Sequence, residues 1–440
     1  MRPLITLMML ASGVFLGLGR LAAGEAADSL SPEFGATPQA VSSDLITAAP
    51  SPGTWVDEPF ATRPASTRLA DDGTVSDPLR VDEHEVGRLW VEADFLMWWL
   101  SQGSNPPLVS TGNPGDAIPG ALGQPGTQVL LGDGDLDTGK TLGGSLQVGW
   151  WLDVDRTWSV DADWFLMETD TIQFRLASDA AGNPPTYLPV YRADPTLNRE
   201  GSFVISEPGV EPFAGSIDVT RSTQLWGLEG HLARNVNRSS NRDIELICGL
   251  KYLSLREALE LYGVLPYVYG APARDEGLDE FVTANHFYGL QLGVNCRQRK
   301  GRFALDVAPK VAVGLTHARL DVDGHYSQGL GAPNPITYAG AFFTQPTNIG
   351  RASNTAFAVA PEVACALSVA VTKRLIARVG YDFLYVSACA RVGDQIDRRI
   401  NVTQTSGGGG VLVGAALPAR ELRMDSLIAH GVNLGLEFSY

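Results

Sequence analysis

Three carboxylates stand at alternate positions beside glycine in Gly132-Asp133-Gly134-Asp135-Leu136-Asp137-Thr138-Gly139. Oxygen ligands at such spacing can hold calcium. Asp133, Asp135 and Asp137 would supply them, but the bidentate glutamate that closes an EF-hand at its twelfth position is missing. A solvated acidic loop accounts for the same residues, and Asp321-Val322-Asp323-Gly324 is weaker still. Nucleophilic chemistry would need a base beside a hydroxyl. His231 shares one strand face with Glu229 and Thr223, which would allow it. A hydrogen-bonded interior histidine is the simpler reading. The chain has only 6 His, none beside a distinctive serine motif, so no catalytic residue and no enzyme activity are expected. The run Gly407 to Gly410 lacks the lysine of a phosphate cradle and reads as loop. No cofactor is expected.

The elements that hold these residues are strands. In 89–100 the odd positions Leu89, Val91, Ala93, Phe95, Met97 and Trp99 are apolar, while the even set includes Glu92 and Asp94. Successive side chains of a strand point to opposite faces, so one face is greasy and the other polar. The pattern returns in 142–153, 157–166 and around Trp226 to Leu232, then in 244–252, 288–294 and 303–313. It closes with 357–369, 375–385 and 428–440. A helix would set Leu434 and Leu436 about 200° apart and would be weakened by Gly431 and Gly435. About ten strands (10–12) result. The predicted fold is all-β, a closed antiparallel transmembrane β-barrel.

Three features favour lipid over a soluble sandwich. Short connections (153–156, 234–243, 297–301, 372–374) alternate with long ones (101–140, 169–220, 259–283, 319–352, 389–424), the layout of outer-membrane barrels. Opposite the apolar stripes stand Glu92, Asp94, Asp161, Asp163, Glu229, Glu245, Lys251, Asp306, Lys310, Glu362, Arg378, Asp382 and Glu437, predicted to face the lumen. Such charges need water or partners, which a lumen supplies. Aromatics gather toward strand ends: Trp99, Trp164, Tyr288 and Tyr385 near the outer rim, and Trp150, Trp158, Phe303, Phe438 and Tyr440 near the inner one, as membrane-interface girdles. Open edges in hydrocarbon leave backbone groups unpaired, so the first strand should join the last.

Met1-Arg2, the apolar stretch Leu4 to Leu18 and the small residues after it have the layout of a signal peptide, residues 1–26. Residues 27–86 are an acidic, Pro- and Ser-rich linker expected to be disordered; from 27 to 88, 11 acidic and 4 basic side chains give a net of -7. The barrel is assigned to 87–440. Cys248, Cys296, Cys365 and Cys389 lack the spacing of a disulfide framework and are expected to be mostly free. With Lys+Arg 33 against Asp+Glu 49, the chain repels phosphate backbones, so no nucleic-acid partner is expected.

Trp90-Val91-Glu92-Ala93-Asp94-Phe95-Leu96-Met97-Trp98-Trp99, the Gly143-Gly144 strand, Gly380-Tyr381-Asp382-Phe383-Leu384-Tyr385-Val386-Ser387, Arg391-Val392-Gly393-Asp394-Gln395-Ile396-Asp397 and the terminal Gly431 to Tyr440 resemble the beta barrel porin-7 family of planctomycete-type bacteria. The resemblance brackets 89–440 and implies a porin role in the outer membrane of a Gram-negative-type bacterium. It carries over no catalytic residue. The chain would then be a passive small-solute channel with a narrow, mildly acidic lumen, preferring cations because carboxylates outnumber bases among the lumen residues. The alternative is a non-conducting surface scaffold or adhesin that binds through its long outer loops. Partners would be outer-membrane lipid and the barrel insertion machinery, which reads a terminal strand with a final aromatic, besides small solutes or surface ligands. Ten strands lie nearer the filled limit of barrel width than the open one.

Overall fold

The computed structural model describes residues 88–134, 139–267, 273–405 and 409–440. The predicted signal peptide and linker lie outside the described residues, as do Asp135 and Asp137.

Ten antiparallel strands form the wall: β1 (Leu89–Leu100), β4 (Thr141–Trp151), β5 (Trp158–Met167), β9 (Ser216–Arg238), β10 (Arg242–Pro266), β11 (Arg274–Lys300), β12 (Phe303–Leu330), β14 (Gly350–Ala370), β15 (Leu375–Cys389) and β17 (Asp425–Ser439). Each pairs with the next in that order. The ring shuts where β1 meets β17, from Trp90 opposite Ser439 to Leu100 opposite Ala429. No edge is left for lipid to strip of hydrogen bonds, which is why the first and last strands join. The outward face is apolar and exposed through Phe95, Leu250, Leu290, Leu305, Phe357 and Leu434. Exposure of this kind, continuous around a wall, is the signature of a lipid-facing surface.

The strands differ in reach. β4 and β5 have 11 and 10 residues, enough to cross a bilayer. β9 to β12 have 23, 25, 27 and 28. Their outward faces are apolar up to Trp226, Tyr252, Tyr288 and Leu315, then turn polar at Gln224, Arg256, His286 and His317. The upper halves therefore stand above the membrane. Two expected loops are corrected by this. Most of 259–283 and 319–352 is strand, with an outer face that is polar because it meets water instead of lipid.

A second sheet sits among the long connections of one end: β2 (Val109–Thr111), β3 (Gln128–Leu131), β7 (Thr186–Ala193), β8 (Asn198–Ser206) and β16 (Arg399–Ile400). Two further strands extend the wall: β6 (Asp170–Ala177) on β9 and β13 (Ile336–Ala339) on β12. Leu188, Val190 and Ile205 of the second sheet pack with Ile217, Leu259, Phe281 and Leu320 of the extended wall and with Phe342 and Phe343. The connections are thus a folded β-cap with its own core. All four cysteines carry free thiols.

Candidate functional site

The interior is built in layers, each set by which inward residues share a height. In the lower layer Glu229 on β9, Lys251 on β10, Lys310 on β12 and Glu362 on β14 form one cluster. Lys251 pairs with both glutamates, and Lys310 reaches Glu229 at 2.7 Å and also pairs with Glu362. β10 and β14 are separated by two strands, so these pairs cross the lumen rather than follow the wall. His231 bridges Asp161 at 2.8 Å and Gln291 at 2.6 Å, and the Gln291 amide donates to Glu362 at 3.1 Å. A second cluster lies beside the first. Arg378 pairs with Glu92, and Arg297 pairs with Asp306 and stands 3.6 Å from Glu437. Around them Asp94 accepts from Ser145 at 2.9 Å, Glu245 from Asn295 at 3.2 Å, and Asp382 from Asn433 at 2.7 Å. Asp163 lies on the same inward register, opposite Glu229.

The structure thus places all thirteen sequence-selected charges on the inward face and gathers most into two networks. Two partners, Arg297 and Gln291, escaped the sequence reading, and His231 takes the place expected of a hydrogen-bonded interior histidine. Arg297 was assigned to a turn, but β11 runs on to Lys300 and turns that side chain inward. His231 and Gln291 complete the first network. The proposed meeting of His231 with Thr223 does not occur: Thr223 lies eight residues further along β9, at the level of Glu257. The ring partners of His231 are the carboxylates of Asp161 and Glu229 and the Gln291 amide. Asp133 sits at φ 62 in the segment between β3 and β4.

Above the charges the lumen turns apolar. Leu96 and Trp98 of β1, Phe165 and Met167 of β5, Leu225, Leu253, Phe287, Leu384 and Leu427 pack together across it. Trp98 and Phe165 have ring centroids 5.3 Å apart. The expectation of a polar lumen therefore holds for the lower part only. In 96–100 both faces of β1 are apolar, one for lipid and one for this core.

The third layer is a buried ion triad. Arg221 donates to Glu257 at 3.0 Å, and Arg391 donates to it at 2.8 and 3.1 Å. The Val392 amide adds a fourth bond at 2.9 Å. Burial would push the Glu257 carboxyl up, but Arg391, Arg221 and that amide hold it at about 2. Arg391 also donates to the carbonyls of Ser101 at 2.6 Å and Ser426 at 3.1 Å, on the opposite wall. Asn285 fixes the same segment by exchanging bonds with the Ala390 backbone at 2.9 and 2.6 Å. Higher still, Asp279 accepts from the amides of Phe342 at 3.2 Å, Phe343 at 2.8 Å and Thr344 at 3.0 Å. Its burial nevertheless raises it to about 6.

The girdle aromatics face outward. Tyr288, Phe303, Trp99, Trp150, Trp158, Phe438 and Tyr440 are exposed, and Trp164 and Tyr385 are half-buried on the same face. The rings of Trp226 and Tyr288 each pack tilted against Tyr252, with centroids 5.0 and 5.1 Å away, and Arg234 and Arg374 cover Trp158 and Tyr440.

The family model described as Putative beta barrel porin-7 (BBP7) matches residues 90–440. Among solved structures, the outer membrane protease OmpT from Escherichia coli matches at 10% identity and TM-score 0.37, over 81% of this chain and 100% of that one. A Pseudomonas aeruginosa FadL homologue matches at 9% identity and TM-score 0.23, over 83% and 93%. The Pseudomonas putida toluene transporter TodX matches at 7% and 0.20, over 82% and 92%. Likenesses this low carry no inference about what this chain does. No curated protein matches it.

Proposed function

The chain belongs to the beta barrel porin-7 family of outer-membrane barrels, and from that premise we propose that it is a sealed scaffold that holds a folded β-cap at the cell surface. One observation carries this reading: at three successive heights the lumen is filled by its own side chains. Lys251 and Gln291 in the charged layer, Met167 and Leu225 in the apolar one and Glu257 in the triad are all buried. A static water path would need every one of these layers to stay wet, as in wider barrels. On this reading the chain performs no chemistry of its own. The cap surface is where a ligand would bind.

The family description, porin, favours a second reading, a narrow passive channel for small solutes. Planar-bilayer recording separates the two. The scaffold predicts a flat baseline from the purified full chain. Stable ohmic steps would establish the channel. Cation preference in them would further match the excess of lumen carboxylates, and anion preference would contradict it.

A further inference from the structure

Just above the lipid-facing band, one side of the wall carries a built anion seat. Asp321 on β12 accepts from Arg319 Nε at 2.5 Å and from Arg351 Nε, on β14, at 2.7 Å. Each arginine makes this bond alone among the described residues and remains exposed, with side-chain exposures of 44% and 63%. The carboxylate therefore acts as a clamp. It fixes two guanidinium groups side by side by their Nε atoms and leaves both pairs of Nη donors to meet something else. Arg256 on β10 shares the height of Arg319, with Ala284 of β11 between them as a small floor. Two strand spacings put their backbones about 10 Å apart.

Height decides the occupant. The row lies four residues beyond Tyr252, Tyr288 and Leu315, where the outward apolar band ends. On a tilted strand that is roughly 10 Å, the zone of lipid headgroups. The next acidic row, Glu260, Glu280 and Asp323 on the same three strands, is unfavourable to anions and confines a phosphate to the arginines below it. Guanidinium forks match phosphate oxygens in pairs, and near lipid they are less screened than in bulk water.

We infer that the outer wall of β10 to β14 binds the phosphorylated headgroup of an outer-leaflet lipid, with Arg319 and Arg351 gripping phosphate and Asp321 positioning them. This rests on the outer-membrane placement and is independent of whether the barrel conducts. The test uses the purified full chain in detergent, with bisphosphorylated lipid A as probe and the same lipid stripped of phosphate as control, followed by native mass spectrometry. The wild-type chain should retain the phosphorylated lipid at least about tenfold better than the control. The Arg319→Gln, Arg351→Gln double variant should fall to the control level while keeping its compact, unboiled gel mobility. Asp321→Asn should weaken retention without abolishing it. Equal retention of both lipids by the wild-type chain would overturn the proposal even if the double variant failed to fold. So would unchanged retention by that variant, and so would inorganic phosphate displacing the lipid at equal concentration, which would mark a free-phosphate site instead.

Discussion

Glu257 shows how one side chain ties three parts of the molecule together. It accepts from Arg221 of β9, from Arg391 of the cap segment and from the Val392 amide. Removing one member of a buried ion group leaves an uncompensated charge, at a cost of about 3–5 kcal/mol. Glu257→Ala strands two arginines, whereas Arg391→Ala leaves Glu257 still paired with Arg221. Urea titration should therefore place Glu257→Ala as the less stable variant. The pH dependence follows from sign. The folded carboxyl lies at about 2, below its ordinary 4.5. Its stabilisation is complete above about pH 4.5 and is lost as pH falls through about 2. Pepsin should release cap fragments only toward the bottom of that window, and release that starts near pH 5 would assign the lock elsewhere. Arg391 was visible in the sequence as part of a motif, but its partner was not. Glu257 lies beyond Tyr252, where alternation fades because the outward neighbours Arg256 and Glu260 are as polar as an inward residue would be.

At the scale of the element, the seam between β1 and β17 is where sequence and structure agree most closely. Both strands alternate apolar and polar over 91–95 and 432–438, so period two fixes their faces there. Close approach of the two backbones is fixed by glycine. A side-chain carbon added at Gly431 would fall on the Met97 carbonyl and against Trp98. Gly431→Val should cost about 1–3 kcal/mol by overpacking and reduce the heat-modifiable fraction on gels. Gly230→Ala, where nothing lies within 4 Å, should leave it unchanged. The cap strands were illegible for the opposite reason. β2, β3 and β16 have 3, 4 and 2 residues, too short for a period, and they are held by partners far along the chain, such as Tyr191 opposite Arg399.

For the molecule as a whole, ten strands make a barrel narrow enough for its own side chains to fill. The lower charges seal it because Lys251 pairs with Glu362, Lys310 with Glu229 and Arg297 with Glu437 across the lumen. Lys251→Met would leave Glu229 and Glu362 with one lysine, Lys310, between them, and an unfolding loss of about 3–5 kcal/mol is expected. Lumen charge could be counted from sequence but not its cancellation, since pairing across the lumen depends on strands up to four places apart in the ring. All of this presumes that the wall is shut, and one measurement reads that directly. Ala93 and Leu436 are partners across the seam, both on the lipid face. With Cys248, Cys296, Cys365 and Cys389 replaced by serine, the Ala93→Cys, Leu436→Cys chain should be linked within itself by a short bis-maleimide in membranes. The product should run as a monomer whose boiled form migrates faster than the unlinked chain. Linked dimers, or no linkage in a chain that is still compact before boiling, would show that the first and last strands do not meet.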